Sequence, residues 1–321
     1  MSAPSDAHYR LVANRIKEGK VIPFLGAGAN LCDRPENEPW EKGRYLPDGG
    51  ELAELLAEKS GYPDKKDRNL LRVSQYLDAM LGEGTLYEYL RAVFDAEYLC
   101  NSLHRFLASL PPLLQAQEIR HQLIITTNYD DALERAFEER NEPYDLVWYE
   151  AKRGQLWGRF LHRPPGGKPI PIERANKYPA LSREERTVIL KLHGAVHRYP
   201  TLDSYVITED SYIDYLSQGD ISSRIPIRLF DYMRESHFLF LGYSMRDWNL
   251  RVILNRIWGS QQLPHKSWAV QREPEDPAVK EIEETLWRDR GDVDPLYTSL
   301  KEYVAGLSEH VLGGAPTQVG P

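Results

Sequence analysis

Apolar and polar positions along the chain switch between two periods. At helical spacing stand Leu11, Val12 and Ile16, then Leu52, Leu55 and Leu56, then Leu70, Val73, Tyr76, Leu77 and Met80, then Leu86, Tyr89, Leu90, Val93 and Phe94. Short continuous apolar runs occupy 21–25, 121–126, 187–192, 237–241 and 267–270. These runs are β-branched and unalternating, which is the pattern of parallel strands covered on both faces. The order predicts an α/β fold, a Rossmann-like parallel sheet with helices on both faces. Gly82-Glu83-Gly84 is read as the stop of the third helix. A fifth helix around Leu103 to Leu110 is expected to end at Pro111-Pro112, because proline lacks the N–H that a helix interior needs.

Residues 141–186 break the alternation. Pro143, Pro164-Pro165-Gly166-Gly167, Pro169, Pro171 and Pro179 are scattered among Trp148, Tyr149, Trp157 and Tyr178. This composition predicts a long loop or small inserted subdomain bordering the site. The tail from Gly313 onwards reads as a linker. The expected organisation is one catalytic domain over 1–310, with a loop-rich insertion at about 141–186 and a flexible tail over 311–321.

Four of the apolar runs end in glycine or polar motifs. Gly26-Ala27-Gly28-Ala29-Asn30 follows Val21-Ile22-Pro23-Phe24-Leu25, and small residues at a strand exit let the backbone approach a phosphate. The third glycine of the dinucleotide fingerprint is replaced here by Leu31-Cys32-Asp33. Thr126-Thr127-Asn128-Tyr129-Asp130 closes Leu123-Ile124-Ile125. His193-Gly194 closes the run Val188 to Leu192, and Gly242-Tyr243-Ser244-Met245-Arg246-Asp247 closes Phe238 to Leu241. In an open parallel sheet the ligand lies beyond the carboxyl ends of the strands, so motifs placed this way converge on one molecule.

Order and identity together resemble the sirtuin family of NAD-consuming enzymes, from about residue 20 to 250. GAGAN stands where sirtuins have their GAG-x-S loop, TTNYD where they have TQNxD, His193-Gly194 at the catalytic HG, and GYSM at the late G-x-S loop. The wording LxxTTNYDxxLExAF, LKLHG and FLGYSxRDxN is closest to the bacterial sirtuin-like branch, many of whose members are NAD hydrolases of antiphage defence. The resemblance implies NAD as substrate and catalysis by Asn128 and His193. It also implies that Gly26, Ala27, Gly28, Asn30, Thr127 and Asp130 hold the dinucleotide, with Gly242, Ser244 and Asp247 on its adenosine side.

Each of these residues also has a local reading. Asp130 or Asp131 caps a helix beginning at 132 as readily as it faces a ligand, and Asp247 stands ahead of the amphipathic pattern Leu250, Ile253, Leu254, Ile257, Trp258. Asp48 is better read as a cap of the second helix than as a nicotinamide contact. His197 and Glu209-Asp210 carry no spacing that separates them from a solvated surface. His193 is suited to take a proton from a ribose hydroxyl or water, since an imidazole ordinarily titrates near neutral pH. Asn128 holds a hydroxyl or water without adding charge.

The remaining features narrow the function. Family deacetylases carry two CxxC pairs after the HG, whereas this chain has only Cys32 and Cys100, so a zinc module is not expected. No run reaches the roughly 18 apolar residues of a membrane span. The first residues lack the regions of a signal peptide, so the cytoplasm is expected. With 321 residues and 41% hydrophobic composition, the chain can bury a full core. A net charge of −8 gives no electrostatic basis for binding nucleic acid. A homo-oligomer, a regulatory partner or a fused domain is expected as the control element. The rival readings are a module that senses NAD or ADP-ribose without turnover, and an enzyme of ADP-ribosyl transfer or deacylation.

Overall fold

The computed structural model describes residues 4–36, 38–197, 202–217, 224–243, 250, 252–254 and 265–313. Helix α1 (Asp6–Lys17) leads into β1 (Val21–Leu25). Helices α2 (Gly49–Ser60), α3 (Leu70–Leu81), α4 (Glu83–Phe94), α5 (Ser102–Ala108) and α6 (Leu110–Ala116) then separate β1 from β2 (Leu123–Thr126). After α7 (Ala132–Glu139) come β3 (Tyr144–Tyr149), β4 (Phe160–Arg163), β5 (Ile170–Pro171) and β6 (Thr187–Lys191). A short antiparallel pair, β7 (Gly194–Ala195) and β8 (Ser204–Tyr205), precedes α8 (Glu209–Ser217), α9 (Ile227–Arg234) and β9 (His237–Leu241). The last described elements are β10 (Ser267–Gln271), α10 (Pro277–Gly291), β11 (Val293–Tyr297) and α11 (Leu300–Leu312).

The central sheet runs β11-β10-β9-β1-β2-β6-β3-β4-β5. It is parallel from β11 to β3 and antiparallel only at β4 and β5. Successive residues of the inner strands point to opposite faces, and both faces are dry. Val21 and Leu25 join one core cluster with α1, α5, α7 and α11, whereas Ile22 and Phe24 join another with α8, α9 and α10. A third cluster holds α2, α3 and α4 together beside Ala132 and Tyr205. This explains why the strands read as continuous apolar runs. Among the described residues, no helix is long and apolar enough to cross a membrane.

Several expectations need correction. Pro111 and Pro112 do not end the helical region but sit in the first turn of α6, where backbone N–H groups have no intrahelical partner and proline is tolerated. The third helix does stop where expected, with Gly82 capping α3, but Glu83 and Gly84 already belong to α4. Segment 141–186 is not simply a loop. Tyr144–Tyr149 is buried throughout and adds to the sheet beside β6, from Tyr144 opposite Thr187 to Trp148 opposite Lys191. Its aromatic residues suit a pleated buried surface, and the prolines lie outside it: Pro143 before it, Pro164, Pro165 and Pro169 in the connection between β4 and β5, Pro171 in the outermost strand β5, and Pro179 beyond. His197 is buried against Trp148, with ring centroids 4.3 Å apart, rather than solvated. Glu209 and Asp210 are exposed, as expected.

Candidate active site

Strand register brings the motifs into one row. β1 and β9 pair residue for residue from Val21–His237 to Leu25–Leu241, so Gly26 and Gly242 leave the sheet side by side. Leu25 lies opposite Thr126, and Thr126 opposite Lys191, which sets Thr127 and Leu192 at the same level. The chain leaves β1 toward β2 on one side and reaches β9 on the other. The crevice above β1 is therefore the switch point at which open α/β sheets bind ligands.

The two glycine loops lock onto each other. The Gly26 N–H donates to the Leu241 carbonyl at 3.0 Å and the Gly28 N–H to the Gly242 carbonyl at 2.9 Å. A Cβ at Gly28 would lie 2.8 Å from the Gly242 oxygen, and one at Gly26 would lie 2.7 Å from the same atom. These glycines are thus required by backbone packing whether or not a phosphate approaches. Lost NAD binding in Gly28→Val would register this packing together with the pocket.

Above the row lies a cavity of about 1630 Å³, beyond the roughly 300–1,000 Å³ typical of small-ligand sites and roomy enough for a dinucleotide. Ala27, Gly28, Asn30, Thr127, Asn128, Asp130, His193 and Gly242 all line it. Gly26 is absent from that lining, its carbonyl accepting from Asn128 Nδ2 at 3.1 Å. Ser244 and Asp247 lie outside the described residues. Asp48 also lines the cavity, yet its side chain accepts from the Glu51 N–H at 2.8 Å in a complete capping box on α2.

Each side chain is held by a neighbour. The Asn128 N–H bonds Thr126 Oγ1 at 2.9 Å, and with Nδ2 on Gly26 the Oδ1 is left for a hydroxyl or water. Asp130 uses both carboxylate oxygens within the protein. One oxygen accepts from the Ala132 N–H at 3.1 Å at the start of α7, and the other accepts from Asn30 Nδ2 at 2.8 Å. Thr127 Oγ1 meets the Tyr243 hydroxyl, whose ring packs edge-on to Phe24. His193 is buried between the rings of Tyr212 and Tyr215, with Nε2 3.3 Å from the Tyr212 hydroxyl.

Burial pulls the His193 imidazole down to about 3, so it does not titrate near neutrality as the sequence suggests. It is a neutral hydrogen-bond acceptor or donor at working pH. We predict that kcat/KM for the reaction proposed below shows no inflection near pH 6.5. The unfolded chain gains a proton at this histidine below about 6.5, and the folded chain does so only near 3. Stability therefore falls as pH drops through that window, and the profile must be measured where the protein is folded. A tenfold loss of kcat/KM between pH 7.5 and 5.5 in folded protein, absent in a His193 variant, would contradict this.

Sequence reasoning passed over Lys191, Glu134, Tyr212 and Tyr243. A lone lysine in the apolar run 188–192 was the available signal for the first. Nothing in the sequence distinguishes Tyr212 from a core aromatic, and Tyr243 stands inside the Gly242–Asp247 motif without a role of its own. Among the described residues, no group of His, Cys, Asp and Glu is arranged to hold a metal. Cys32 and Cys100 are buried free thiols, the first against Ser102 and the second bonded to the Ala132 carbonyl.

The SIR2-like domain family matches residues 122–292, more than half of the chain. The chain belongs to the SIR2-like domain family. This SIR2-like chain is 27% identical over 255 residues to the NAD(+) hydrolase ThsA of Enterococcus faecium, covering 78% of the chain and 43% of that protein. It is 26% identical over 252 residues to the NAD(+) hydrolase ThsA of Bacillus cereus, covering 75% and 40%. With the defense-associated sirtuin 2 of Bacillus subtilis it shares 22% over 260 residues, covering 80% and 21%. The SIR2-like chain thus spans less than half the length of these relatives.

Proposed function

We propose that the chain cleaves NAD to nicotinamide and ADP-ribose, linear where water attacks the anomeric carbon or cyclic where the adenine of the same molecule does, as an NAD-depleting effector of bacterial antiphage defence in the cytoplasm. The observation that carries the reading is the convergence of four strand-end motifs on one cavity that Asn128 and His193 both line. The names of the relatives support it, two being NAD(+) hydrolases and one a defense-associated sirtuin. On this reading residues 1–310 form the catalytic domain. The loops after β1 and β2 hold the pyrophosphate and the nicotinamide ribose, and Gly242, Ser244 and Asp247 hold the adenosine side.

Cleavage of the nicotinamide–ribose bond passes through an oxocarbenium-like state, and the departing nicotinamide is neutral and needs no acid. The protein has to fix the ribose, exclude bulk water and place one nucleophile at the anomeric carbon. Asn128 Oδ1 accepts from a ribose hydroxyl or the attacking water. His193, uncharged, accepts a hydrogen bond from the attacking water or a ribose hydroxyl, and the proton released as the new C–O bond forms passes to solvent. Chromatography of NAD incubated with purified protein tests the reading, with nicotinamide and an ADP-ribose product expected. Unchanged NAD under all conditions, the activating ones below included, would favour a sensor without turnover.

Continuous NAD destruction would kill a host cell, so a homo-oligomer, a partner or a fused domain holds the enzyme idle. We infer that segment 141–186 transmits this control, and two contacts support the reading. Arg153 pairs with Asp214 at 2.8 Å on α8, the helix that packs Tyr212 and Tyr215 on His193, and the Ala151 N–H bonds Ser204 Oγ. Turnover is expected to rise more steeply than linearly with protein concentration, or on adding a partner. Full specific activity in dilute protein shown by light scattering to be monomeric would remove the gating idea.

A further inference from the structure

Lys191 is the one charged residue in the apolar run 188–192, and its side chain is 1% exposed. Its Nζ donates to the Glu134 carboxylate, to the Asp130 carbonyl and, at 3.4 Å, to the Tyr129 carbonyl. Three donors thus meet three acceptors. Burial pushes the Glu134 carboxyl up and Lys191 draws it back. A pair of well-packed apolar residues commonly stabilises a core as well as a buried ion pair does, so stability alone does not account for a lysine here.

The acceptors suggest another role. Two of them are main-chain carbonyls one and two residues after Asn128, on the loop that leaves β2. The Asp130 side chain carries the connection onward to Asn30 on the loop after β1. His193 stands two residues beyond Lys191 at the exit of β6. One hydrogen-bonded chain, Glu134–Lys191–Asp130–Asn30, therefore spans α7, β6 and the loops after β2 and β1. We propose that Lys191 is a positioning residue that holds the Asn128 loop and Asn30 in register with His193, a role that rests on the NAD-cleavage reading above. A shift of about 1 Å in such a loop is enough to lower turnover by up to about a hundredfold. Gly26 and Gly28, at the start of the glycine loop, are held separately by the carbonyls of Leu241 and Gly242 and remain in place.

Two charge-neutral double variants test this. Lys191→Met with Glu134→Leu removes every donor, and Lys191→Gln with Glu134→Gln keeps an amide donor at the strand end. The first is expected to lose at least tenfold in kcat with KM changed less than threefold, and the second to keep kcat within about threefold of wild type. Hydrogen exchange of the amides at 127–132 in protein without NAD should speed up at least tenfold in the first pair only, with β1 and β9 unchanged. That readout needs no turnover, so a wild-type protein that fails to cleave NAD overturns the functional reading and leaves the loop test standing. Wild-type kcat and exchange in the apolar pair, equal losses in both pairs, or failure of both to fold would each overturn the positioning role.

Discussion

Asn128→Ala and His193→Ala are each expected to lower NAD cleavage by about a hundredfold or more, the usual cost of losing a group that positions or activates the nucleophile. Both residues line the cavity at strand exits, so the sheet beneath them is untouched. The two differ in what else they disturb. Asn128→Ala removes one hydrogen bond to the Gly26 carbonyl and should scarcely move the melting temperature. His193→Ala takes a buried ring from between Tyr212 and Tyr215 and leaves a small cavity, so a lower melting temperature accompanies the loss of rate. Rates are therefore compared well below both melting points, with circular dichroism to establish that each variant is folded. If both folded variants cleave NAD at the wild-type rate, these residues are not the chemical centre.

Gly242→Ala is expected to be strongly destabilising. Gly242 has φ +72°, and a Cβ there would lie 2.0 Å from the Ala29 nitrogen and 2.3 Å from the Gly28 carbonyl carbon. Both neighbours are backbone, so no side chain can swing aside. A left-handed conformation in a residue with a Cβ costs about 1–3 kcal/mol on its own. The clash adds to this by forcing apart the loops after β1 and β9. Gly61→Ala is the matched control, since Gly61 has φ +68° but nothing within 4 Å of its would-be Cβ. Gly242→Ala should melt several degrees below the control and lose NAD binding. Equal melting temperatures for the two variants would show that the loops are free to separate.

What the chain determined by itself was local or periodic. Buried parallel strands announce themselves as unbroken apolar runs, and most helices are bounded by residues whose side chains bond nearby N–H groups, as Asp48 does on α2 and Ser299 on α11. The candidate site loops were visible because a strand exit built of glycine, asparagine or histidine is unusual, and because four such exits come in a recognisable order. Tertiary structure decided whatever depends on partners distant in sequence. Tyr144–Tyr149 becomes a sheet strand because β6 offers it an edge, and β11 carries Pro295 in an outermost strand, where one ladder hydrogen bond is dispensable. Only the paired register of β1 and β9 shows that Gly26 and Gly28 face Gly242 rather than a ligand alone. Only burial between two tyrosines makes His193 a neutral group. Only the fold brings Glu134 and two loop carbonyls to the ammonium of Lys191, since contacts 57 to 62 residues apart leave no periodic trace.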